Sequence, residues 1–487
     1  MGDPGKQGGA AGERDGTEGE GMARRKGWTA AKRRRARRKA EAALQERRRI
    51  VAETRDRTDT SYAGMVPIAK YGEQRLKLRE RFPGALGMKK GRNAVYTPQD
   101  EAMAYLGCQL AGIVRLNHID RLLPEAVVAE ALGIPQWMSE NTEQRFLKRA
   151  TEETLEGVDG LTRTLVDEER LWWSAGPIEV DGDVTAVPQR GRKREGVESG
   201  YCGGRGRPCY QQPRVTVNGL VWWTDLRRGK DACVDLPART VETASTLAQK
   251  YPTREVFSRL DGYWASKANL REAQEAAQKN PNLMYLLVIH ACDMKEGRWE
   301  ELVAQGKGPW KRVNSTTEIR ELEWIKPWGD EPEAVRAVAV RRKEVLPKGK
   351  EKRTAEKPKW NLRYLIVTPA KRTRLGTRKV FDRYHQRQRE EFSFKDGKQS
   401  LSTAKMPTMK LLANRMHVKM VGLAQVIFQL FAWKFLPHPG PYGPECKTIR
   451  EKVILVGGKN RDEQGGGAQA DVLRVPLATP SHRAGAR

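Results

Sequence analysis

The chain has 487 residues and carries 90 Lys and Arg side chains against 61 Asp and Glu, which gives a formal net charge of +29. This length exceeds that of one small domain and predicts a large domain with an insertion and with helical additions at both ends. So many positive charges repel one another unless a polyanion neutralises them, and nucleic acid is therefore the predicted partner. The alternative is a ribosomal-type protein or a protein that is merely highly soluble.

The first 60 residues are predicted to form a disordered, basic arm. Residues 1–21 are rich in Gly, Glu and Asp without apolar periodicity, and Met22 is a possible alternative start. Ten basic residues and no acid occur between Arg24 and Lys39. This segment is interpreted either as an arm that grasps DNA or as a solvated tail, and the sequence leaves both open.

Residues 61–172 are predicted to form a helical DNA-binding domain. From Thr97 to Leu171 apolar residues recur at steps of three and four, which indicates several short amphipathic helices. No secretory signal is visible at the amino terminus. The most apolar run, Met420 to Leu436, is interrupted by polar residues and is predicted to be a buried helix, so we expect a soluble intracellular protein without a membrane.

Residues 173–440 are predicted to form an α/β catalytic domain, because strand and helix patterns alternate along them. Asn218-Gly219 is a strong hairpin signal between two strands. The order of three strands, helix, strand, helix and strand is that of the ribonuclease H-like fold. The predicted elements are a strand at Pro177–Val180, a hairpin at Arg214–Arg227, a helix at Thr240–Lys250, a strand at Glu255–Leu260, a helix at Lys267–Lys279 and a strand at Met284–His290.

A mainly β insertion is predicted at about residues 292–360, where the alternation breaks and Trp, Pro and charged residues accumulate. After it we expect a core strand, a long polar helix around Arg383 and an apolar helix. Residues 441–487 are predicted to form a C-terminal hairpin and tail. The segments concerned are Val335–Val345 in the insertion, Tyr364–Thr368 and Leu411–Phe435 in the core, and Thr448–Leu455 with Asp471–Leu477 in the hairpin.

Two aspartates are predicted to stand where buried strands emerge into loops, which is where open α/β sheets place their sites. Asp183 follows the strand that contains Glu179, and Asp261 terminates the strand that ends at Leu260. Each could instead be an ordinary loop or helix-capping aspartate. Asp181 is an alternative to Asp183 as the first of these two acidic site residues, because it lies at the same strand end.

Further along the chain, a set of four residues has a spacing that places all of them on one helix face. Tyr384, Arg387, Glu391 and Lys398 lie within about 60° of one another around an ideal helix. That face presents a carboxylate for a metal beside cationic groups for phosphates. Arg387 and Glu391 could instead form an ordinary intrahelical ion pair. Gly397 lowers helix stability by roughly 1 kcal/mol and favours an early end of the helix before Lys398.

These residues resemble the DDE-type insertion-sequence transposases that carry the signature called YREK. Tyr384, Arg387, Glu391 and Lys398 match its spacing in full. Three further stretches are similar to family motifs: Asp181-Gly182-Asp183-Val184-Thr185, Gly206-Arg207-Pro208-Cys209-Tyr210 and Asp261-Gly262-Tyr263.

The resemblance implies a cut-and-paste transposase that releases 3′-hydroxyl groups at the element ends, passes through a DNA hairpin and inserts into target DNA. It implies that Asp183, Asp261 and Glu391 are catalytic and bind Mg²⁺, with Mn²⁺ as a substitute, and that Tyr384, Arg387 and Lys398 bind DNA. The implied partners are the inverted-repeat ends of the element, target DNA and a second copy of the chain. The implied location is the cytoplasm of a prokaryotic cell, associated with the nucleoid.

Two other functions compete with this hypothesis. A catalytically decayed or domesticated transposase would bind DNA without chemistry, and a structure-selective nuclease on the same fold would cut DNA without joining it. In the family, an aromatic residue of the insertion can stabilise a flipped base. Trp310, Trp324 and Trp328 are candidates, although each could simply pack a small β core.

Overall fold

A computed structural model describes most of the chain between residues 59 and 459. The described ranges are 59–60, 62–92, 94–123, 125–171, 176–202, 205–306, 308–331, 333–343, 360–369, 375–436, 445–455 and 458–459. The predicted arm before residue 59, the alternative start Met22 and the predicted strand Asp471–Leu477 lie outside them. The short strand Asp59–Thr60 pairs antiparallel with Gly458–Lys459.

The front of the chain is helical, which confirms the helices predicted there. Local signals explain where two of them begin: Thr97 and Asp100 form a reciprocal capping box, and the Thr151 hydroxyl accepts a hydrogen bond from the Thr154 amide. The helices are α1 (Met65–Lys70), α2 (Leu78–Leu86), α3 (Pro98–Ala111), α4 (Ala126–Ala131), α5 (Glu140–Lys148) and α6 (Glu152–Val166).

Ten strands form one mixed sheet. They are β1 (Ile178–Pro188), β2 (Glu198–Cys202), β3 (Arg205–Val217), β4 (Leu220–Thr224), β5 (Val256–Leu260), β6 (Leu283–His290), β7 (Lys311–Arg312), β8 (Thr317–Ile325), β9 (Val335–Lys343) and β10 (Trp360–Thr368). Their order across the sheet is β2-β3-β1-β5-β6-β10-β9-β8-β7, and β4 also pairs with β3. The predicted hairpin turn lies between β3 and β4, where Asn218 and Gly219 have positive φ.

Strand directions divide the sheet into two parts. β5 runs parallel to β1 and to β6, whereas β3 runs antiparallel to both β1 and β4. On the far side, β10 runs antiparallel to β6, and β9 and β8 follow in antiparallel pairs. The strands of the predicted insertion therefore continue the main sheet, while the boundaries of that insertion stay a prediction.

Helices cover both faces of the central strands. The helices α7 (Leu236–Lys250) and α8 (Lys267–Lys279) pack on one face, with α9 (Arg298–Ala304) following β6. The opposite face of β5 and β6 packs against α10 (Thr377–His385) in a separate apolar cluster. Since side chains alternate across a strand, residues 257 and 259 of β5 face α10.

Three further helices complete the described chain: α11 (Gln388–Gln399), α12 (Leu411–Phe435) and α13 (Cys446–Ile449). The helix α12 is long and apolar enough to cross a membrane, but 78% of its most apolar stretch is buried inside the protein. It packs against α3, α6 and β4, which confirms the predicted buried helix. The strand predicted at Thr448–Leu455 is wrong, because this segment is helical and buries Ile449 and Ile454 on one side.

Candidate active site

The first aspartate lies inside a strand. The sequence predicted Asp183 in a loop after the strand, but β1 continues to Pro188. The physical reason is that β1 has two partners of different length: its pairing with β5 ends at Gly182, whereas its pairing with β3 continues through Asp183 to Pro188. Asp183 is therefore the first residue of β1 beyond its parallel partner, with a side chain that is 22% exposed.

The second aspartate follows the end of β5 directly, as predicted. Asp261 accepts a hydrogen bond from the Gly262 amide at 2.5 Å and caps the short 3₁₀ turn that ends at Trp264. Because β1 and β5 are parallel and Gly182 pairs with Leu260, the two aspartates are neighbours at the same edge of the parallel pairing.

One guanidinium joins the two aspartates. Nη2 of Arg387 lies 2.9 Å from Oδ2 of Asp183 and 3.1 Å from Oδ2 of Asp261. The Arg387 side chain is only 9% exposed, whereas the side chains of Asp183 and Asp261 are 22% and 39% exposed, so the ion pair is partly desolvated. Burial raises the pKa of Asp183 to about 6, although the Arg387 charge opposes this change.

Asp181, the rival of Asp183, has a different environment. Its side chain is fully buried, and Arg259 donates to both of its carboxylate oxygens, at 2.5 and 2.6 Å. The same guanidinium reaches Glu179 at 3.2 Å. Asp181 thus belongs to a closed ion-pair network beneath the two aspartates that Arg387 joins.

The four signature residues do not lie on one continuous helix. The predicted long helix is interrupted between His385, where α10 ends, and Gln388, where α11 begins. The Arg387 amide donates to the Tyr384 carbonyl at 3.0 Å, three residues back, so the turn at the interruption is of the tighter 3₁₀ type. Gly397 does not end α11, which extends to Gln399 and therefore includes Lys398.

Tyr384 and Lys398 both face the protein. Tyr384 is 9% exposed, packs in the cluster beneath α10, and has its pKa raised above the usual range by burial. Nζ of Lys398 donates to Oγ1 of Thr185 at 2.6 Å and to the Ala186 carbonyl at 2.8 Å. Burial lowers the pKa of Lys398 to about 8. This lysine thus attaches α11 to the part of β1 that extends beyond Asp183.

Two adjacent glutamates in the first turn of α11 have opposite environments. Glu391 is exposed, and its charge acts on Asp183. Glu390 is fully buried, and neither of its carboxylate oxygens has a hydrogen-bond partner. Burial, and then the charges of Asp183 and Asp181, raise the pKa of Glu390 well above its usual range. The sequence pattern does not single out Glu390, because only the packing of α11 on the sheet distinguishes it from its neighbour.

The carboxylates around Asp183 and Asp261 do not form a complete set of metal ligands in this structure. Within the ranges that the structure describes, no group of three or more Asp, Glu, His or Cys side chains is gathered closely enough to hold a metal ion. Asp183 and Asp261 nevertheless contact the same nitrogen atom, and Glu391 lies within electrostatic reach of Asp183. The donors are all oxygens, which hard divalent cations prefer.

The three candidate tryptophans lie in different surroundings. Trp324 is 57% exposed and has a φ of 57°, an uncommon value for a residue with a side chain. Trp310 is covered by the Arg341 guanidinium, 4.1 Å from the ring centroid, and Trp328 packs against the main core. Of the three, Trp324 presents the most open aromatic surface.

The chain was compared with protein families, with curated proteins and with solved structures. A family model described as transposase DDE domain, group 1, matches residues 42–464. A solved structure of a piggyBac transposase synaptic complex with hairpin DNA is similar to the chain, with 12% sequence identity and a TM-score of 0.35, and the alignment covers 85% of this chain and 88% of that chain. No curated protein matches the sequence.

Proposed function

The chain belongs to the transposase DDE domain family, group 1, and we propose that it is a transposase that cuts DNA at element ends and joins the released strands to target DNA. The observation that carries this proposal is the meeting of Asp183 and Asp261, from neighbouring parallel strands, at one nitrogen of Arg387. The cut-and-paste route through a DNA hairpin is part of the same proposal.

The proposal includes a ribonuclease H-like catalytic core. Support comes from the order β4-β3-β1-β5-β6, in which the first three strands are antiparallel and the last three parallel. This arrangement brings the end of β5 beside the middle of β1. Residues 183 and 261 consequently become neighbours although 77 residues separate them along the chain.

Asp183, Asp261 and Glu391 would hold a divalent cation, Mg²⁺ with Mn²⁺ as a substitute. The chemistry of the donor set fits such an ion, because all three groups are carboxylates, two of them already share one positive group, and the charge of the third acts on Asp183. When bound, divalent ions in such sites activate water and stabilise the leaving oxygen of a phosphodiester. Asp181 is the weaker candidate for the first ligand, since Arg259 takes both of its oxygens.

DNA is the proposed partner, as element ends and as target, and two copies of the chain would hold the two ends. The formal charge of +29 supports a polyanionic partner. Exposed cations after β1 and at the start of β3 add to the positive surface, namely Arg190, Arg192 and Lys193 before β2 and Arg207 in β3. Such a protein would act at the nucleoid in the cytoplasm of a prokaryotic cell.

A decayed or domesticated transposase that only binds DNA is the second candidate. The observation in its favour is that Arg387 pairs with both aspartates, so a positive group already occupies the position between them without a metal ion. Such a protein would keep the charge that binds DNA and lose the cleavage step.

The test compares cleavage by the full chain and by Glu391→Ala. Each purified protein is incubated with Mg²⁺ and the DNA that flanks its reading frame, and the products are separated on a denaturing gel. Asp382→Asn is the matched control, because Asp382 is an acid of α10 that is 45% exposed and pairs with Arg378. Nicks and hairpins from wild type and the control, but not from Glu391→Ala, support the proposal.

Two other results would change it. DNA binding by all three proteins without products favours the decayed alternative. Products from all three remove Glu391 from the catalytic residues.

A further inference from the structure

Two strands form a ribbon that extends beyond the rest of the sheet. The ribbon consists of β2 and residues 205–209 of β3, which pair antiparallel. The last residue of β1 that pairs with β3 is Pro188, opposite Cys209. Because β3 runs antiparallel to β1, the ribbon lies in the direction in which β1 continues after Asp183. It therefore projects from the edge of the sheet at which the two aspartates meet.

The ribbon reaches well past these aspartates. Asp183 pairs with Arg214, and Tyr201 of the ribbon pairs with Gly206, which precedes Arg214 by eight positions in β3. At about 3.3 Å per residue, Tyr201 lies about 26 Å from Asp183 along the strand direction. Since one base pair of duplex DNA occupies about 3.4 Å, DNA that follows the ribbon from a cut at the aspartates meets Tyr201 within about eight base pairs.

One face of the ribbon is covered and the other is open. Directly opposite residues of antiparallel strands point to the same face, and successive residues alternate. Gly200 belongs to the covered face, because a Cβ atom at this position would overlap the Gly229 carbonyl oxygen. Tyr201 and its partner Gly206 belong to the open face. Tyr201 is 79% exposed, and a Cβ atom at Gly206 would meet nothing within 4 Å.

The charges of the ribbon favour a polyanion on the open face. Ser199 points to the same face as Tyr201, and its hydroxyl accepts a hydrogen bond at 2.6 Å from Nη2 of the exposed Arg192. The acid of β2, Glu198, points to the covered face, where its carboxylate accepts from the Lys230 amide at 3.2 Å. The open face therefore combines a guanidinium with an aromatic ring.

The segment that carries Arg192 is fixed to the body of the protein. The guanidinium of Arg194 donates to the carbonyl groups of Met406 and Thr408, both at 3.3 Å. Arg192 is thus held near its backbone by this attachment and at its tip by the ribbon. A side chain that is already ordered loses less entropy when it binds a ligand.

We propose that the open face of the ribbon binds duplex DNA beside the cut, with Tyr201 in the major groove and Arg192 on a phosphate. A two-stranded ribbon fits the major groove, which is about 12 Å wide. The ring adds an uncharged contact, whereas the guanidinium neutralises one phosphate. This inference rests on the proposed function, which supplies the DNA partner, and adds a binding surface away from the aspartates.

The experiment measures the affinity of the full chain for a duplex from the DNA that flanks its reading frame. Fluorescence anisotropy is recorded without divalent cations at several salt concentrations, for wild type, Tyr201→Ala, Tyr201→Phe and Arg192→Ala. We expect Tyr201→Ala to weaken binding about tenfold with an unchanged salt dependence, and Tyr201→Phe to stay within about twofold of wild type because it keeps the ring. Arg192→Ala should weaken binding and reduce the slope of log affinity against log salt by about 1.

Arg378→Ala is the matched control for loss of a positive charge. Arg378 is an exposed arginine of α10 whose guanidinium pairs with Asp382, and its removal should leave the affinity and the salt slope unchanged. A loss in this control equal to that of Arg192→Ala would attribute the effect to net charge and overturn the proposal. An equal loss in Tyr201→Phe and Tyr201→Ala would refute the contact through the ring.

Further outcomes separate this inference from the proposed function. Absence of duplex binding by wild type would remove the DNA partner itself. Wild-type binding that neither Tyr201→Ala nor Arg192→Ala weakens would remove only the role of the ribbon. A second copy of the chain is the other occupant, because β2 is an edge strand. A wild type that is dimeric without DNA, beside a monomeric Tyr201→Ala, would assign the open face to that copy and overturn the proposal.

Discussion

Arg259 donates to both carboxylate oxygens of Asp181, at 2.5 and 2.6 Å, and both side chains are fully buried. Breaking a buried pair by removing one partner costs roughly 3–5 kcal/mol, because the remaining charge stays uncompensated. We therefore expect Arg259→Met to lower the free energy of unfolding by about that amount in urea titrations. Arg378→Met is the control: it removes an exposed pair with Asp382 and should cost at most about 1 kcal/mol. Equal losses of unfolding free energy in the two variants would show that burial does not make the pair of Arg259 and Asp181 more important for stability.

The two aspartates of β1 should respond differently to loss of charge. Asp183→Asn should abolish DNA cleavage in the gel assay with little loss of stability. Burial raises the pKa of Asp183 to about 6, which means that the site disfavours the charged carboxylate and should tolerate a neutral amide. Asp181→Asn should first lower the free energy of unfolding, because it takes the charge partner from buried Arg259. If the Asp181 variant were stable but inactive and the Asp183 variant were active, the catalytic role would belong to Asp181 and not to Asp183.

Gly182 lies between these aspartates and allows α7 to approach β1 closely. A Cβ atom at this position would lie 2.1 Å from Oγ1 of Thr240, whose hydroxyl donates to the Leu236 carbonyl. We expect Gly182→Ala to lower the free energy of unfolding by about 1–3 kcal/mol, as overpacking does in other cores. Adding Thr240→Ala should restore part of this loss, measured by urea unfolding. If the double variant is no more stable than Gly182→Ala, the contact with Thr240 is not the cause.

His417 should make stability depend on pH below neutrality. Its Nδ1 is 2.6 Å from the Tyr105 hydroxyl and its Nε2 is 3.0 Å from the Ser402 carbonyl, and burial lowers its pKa from 6.5 to about 4. Below pH 6.5 the unfolded chain binds a proton that the folded chain does not, so stability falls as the pH drops towards about 4. The loss attributable to this group is about 3 kcal/mol.

The measurement is urea unfolding of wild type and His417→Gln at several pH values. Carboxylates of the whole protein titrate in the same range, and the variant separates their contribution from that of the imidazole. The difference in unfolding free energy between the two proteins should change in favour of the variant as the pH falls. A difference independent of pH would show that His417 does not titrate as its burial requires.

Trp324 has an unfavourable backbone conformation that its exposed ring does not offset. A left-handed conformation costs a residue with a side chain roughly 1–2 kcal/mol, and Asn tolerates it better. Trp324→Asn should therefore leave thermal stability unchanged or raise it slightly. Trp310→Asn is the contrast, because it removes the ring on which Arg341 lies, and it should lower stability. A large loss in Trp324→Asn would mean that the ring packs more tightly than its exposure of 57% indicates.

The periodic and turn signals of the sequence were sufficient to predict much of the core. The helix Lys267–Lys279 and the helix Leu411–Phe435 have the predicted bounds, and Asn218-Gly219 forms the predicted turn. These features depend on local spacing of apolar residues and on backbone preferences, which neighbouring residues determine by themselves. The segment Thr448–Leu455, whose apolar pattern favoured a strand, is helical because tertiary contacts outweigh a weak local preference.

The sequence by itself determined which residue types are available for the site and their spacing. Only the tertiary structure decided their environments, because burial and pairing depend on which strands and helices meet. The unequal lengths of the two partners of β1 place Asp183 inside a strand, and Arg259 pairs with both oxygens of Asp181. The guanidinium of Arg387, in the interruption before α11, contacts both Asp183 and Asp261. The same packing buried Glu390 and exposed Glu391, two adjacent glutamates that a linear pattern cannot distinguish.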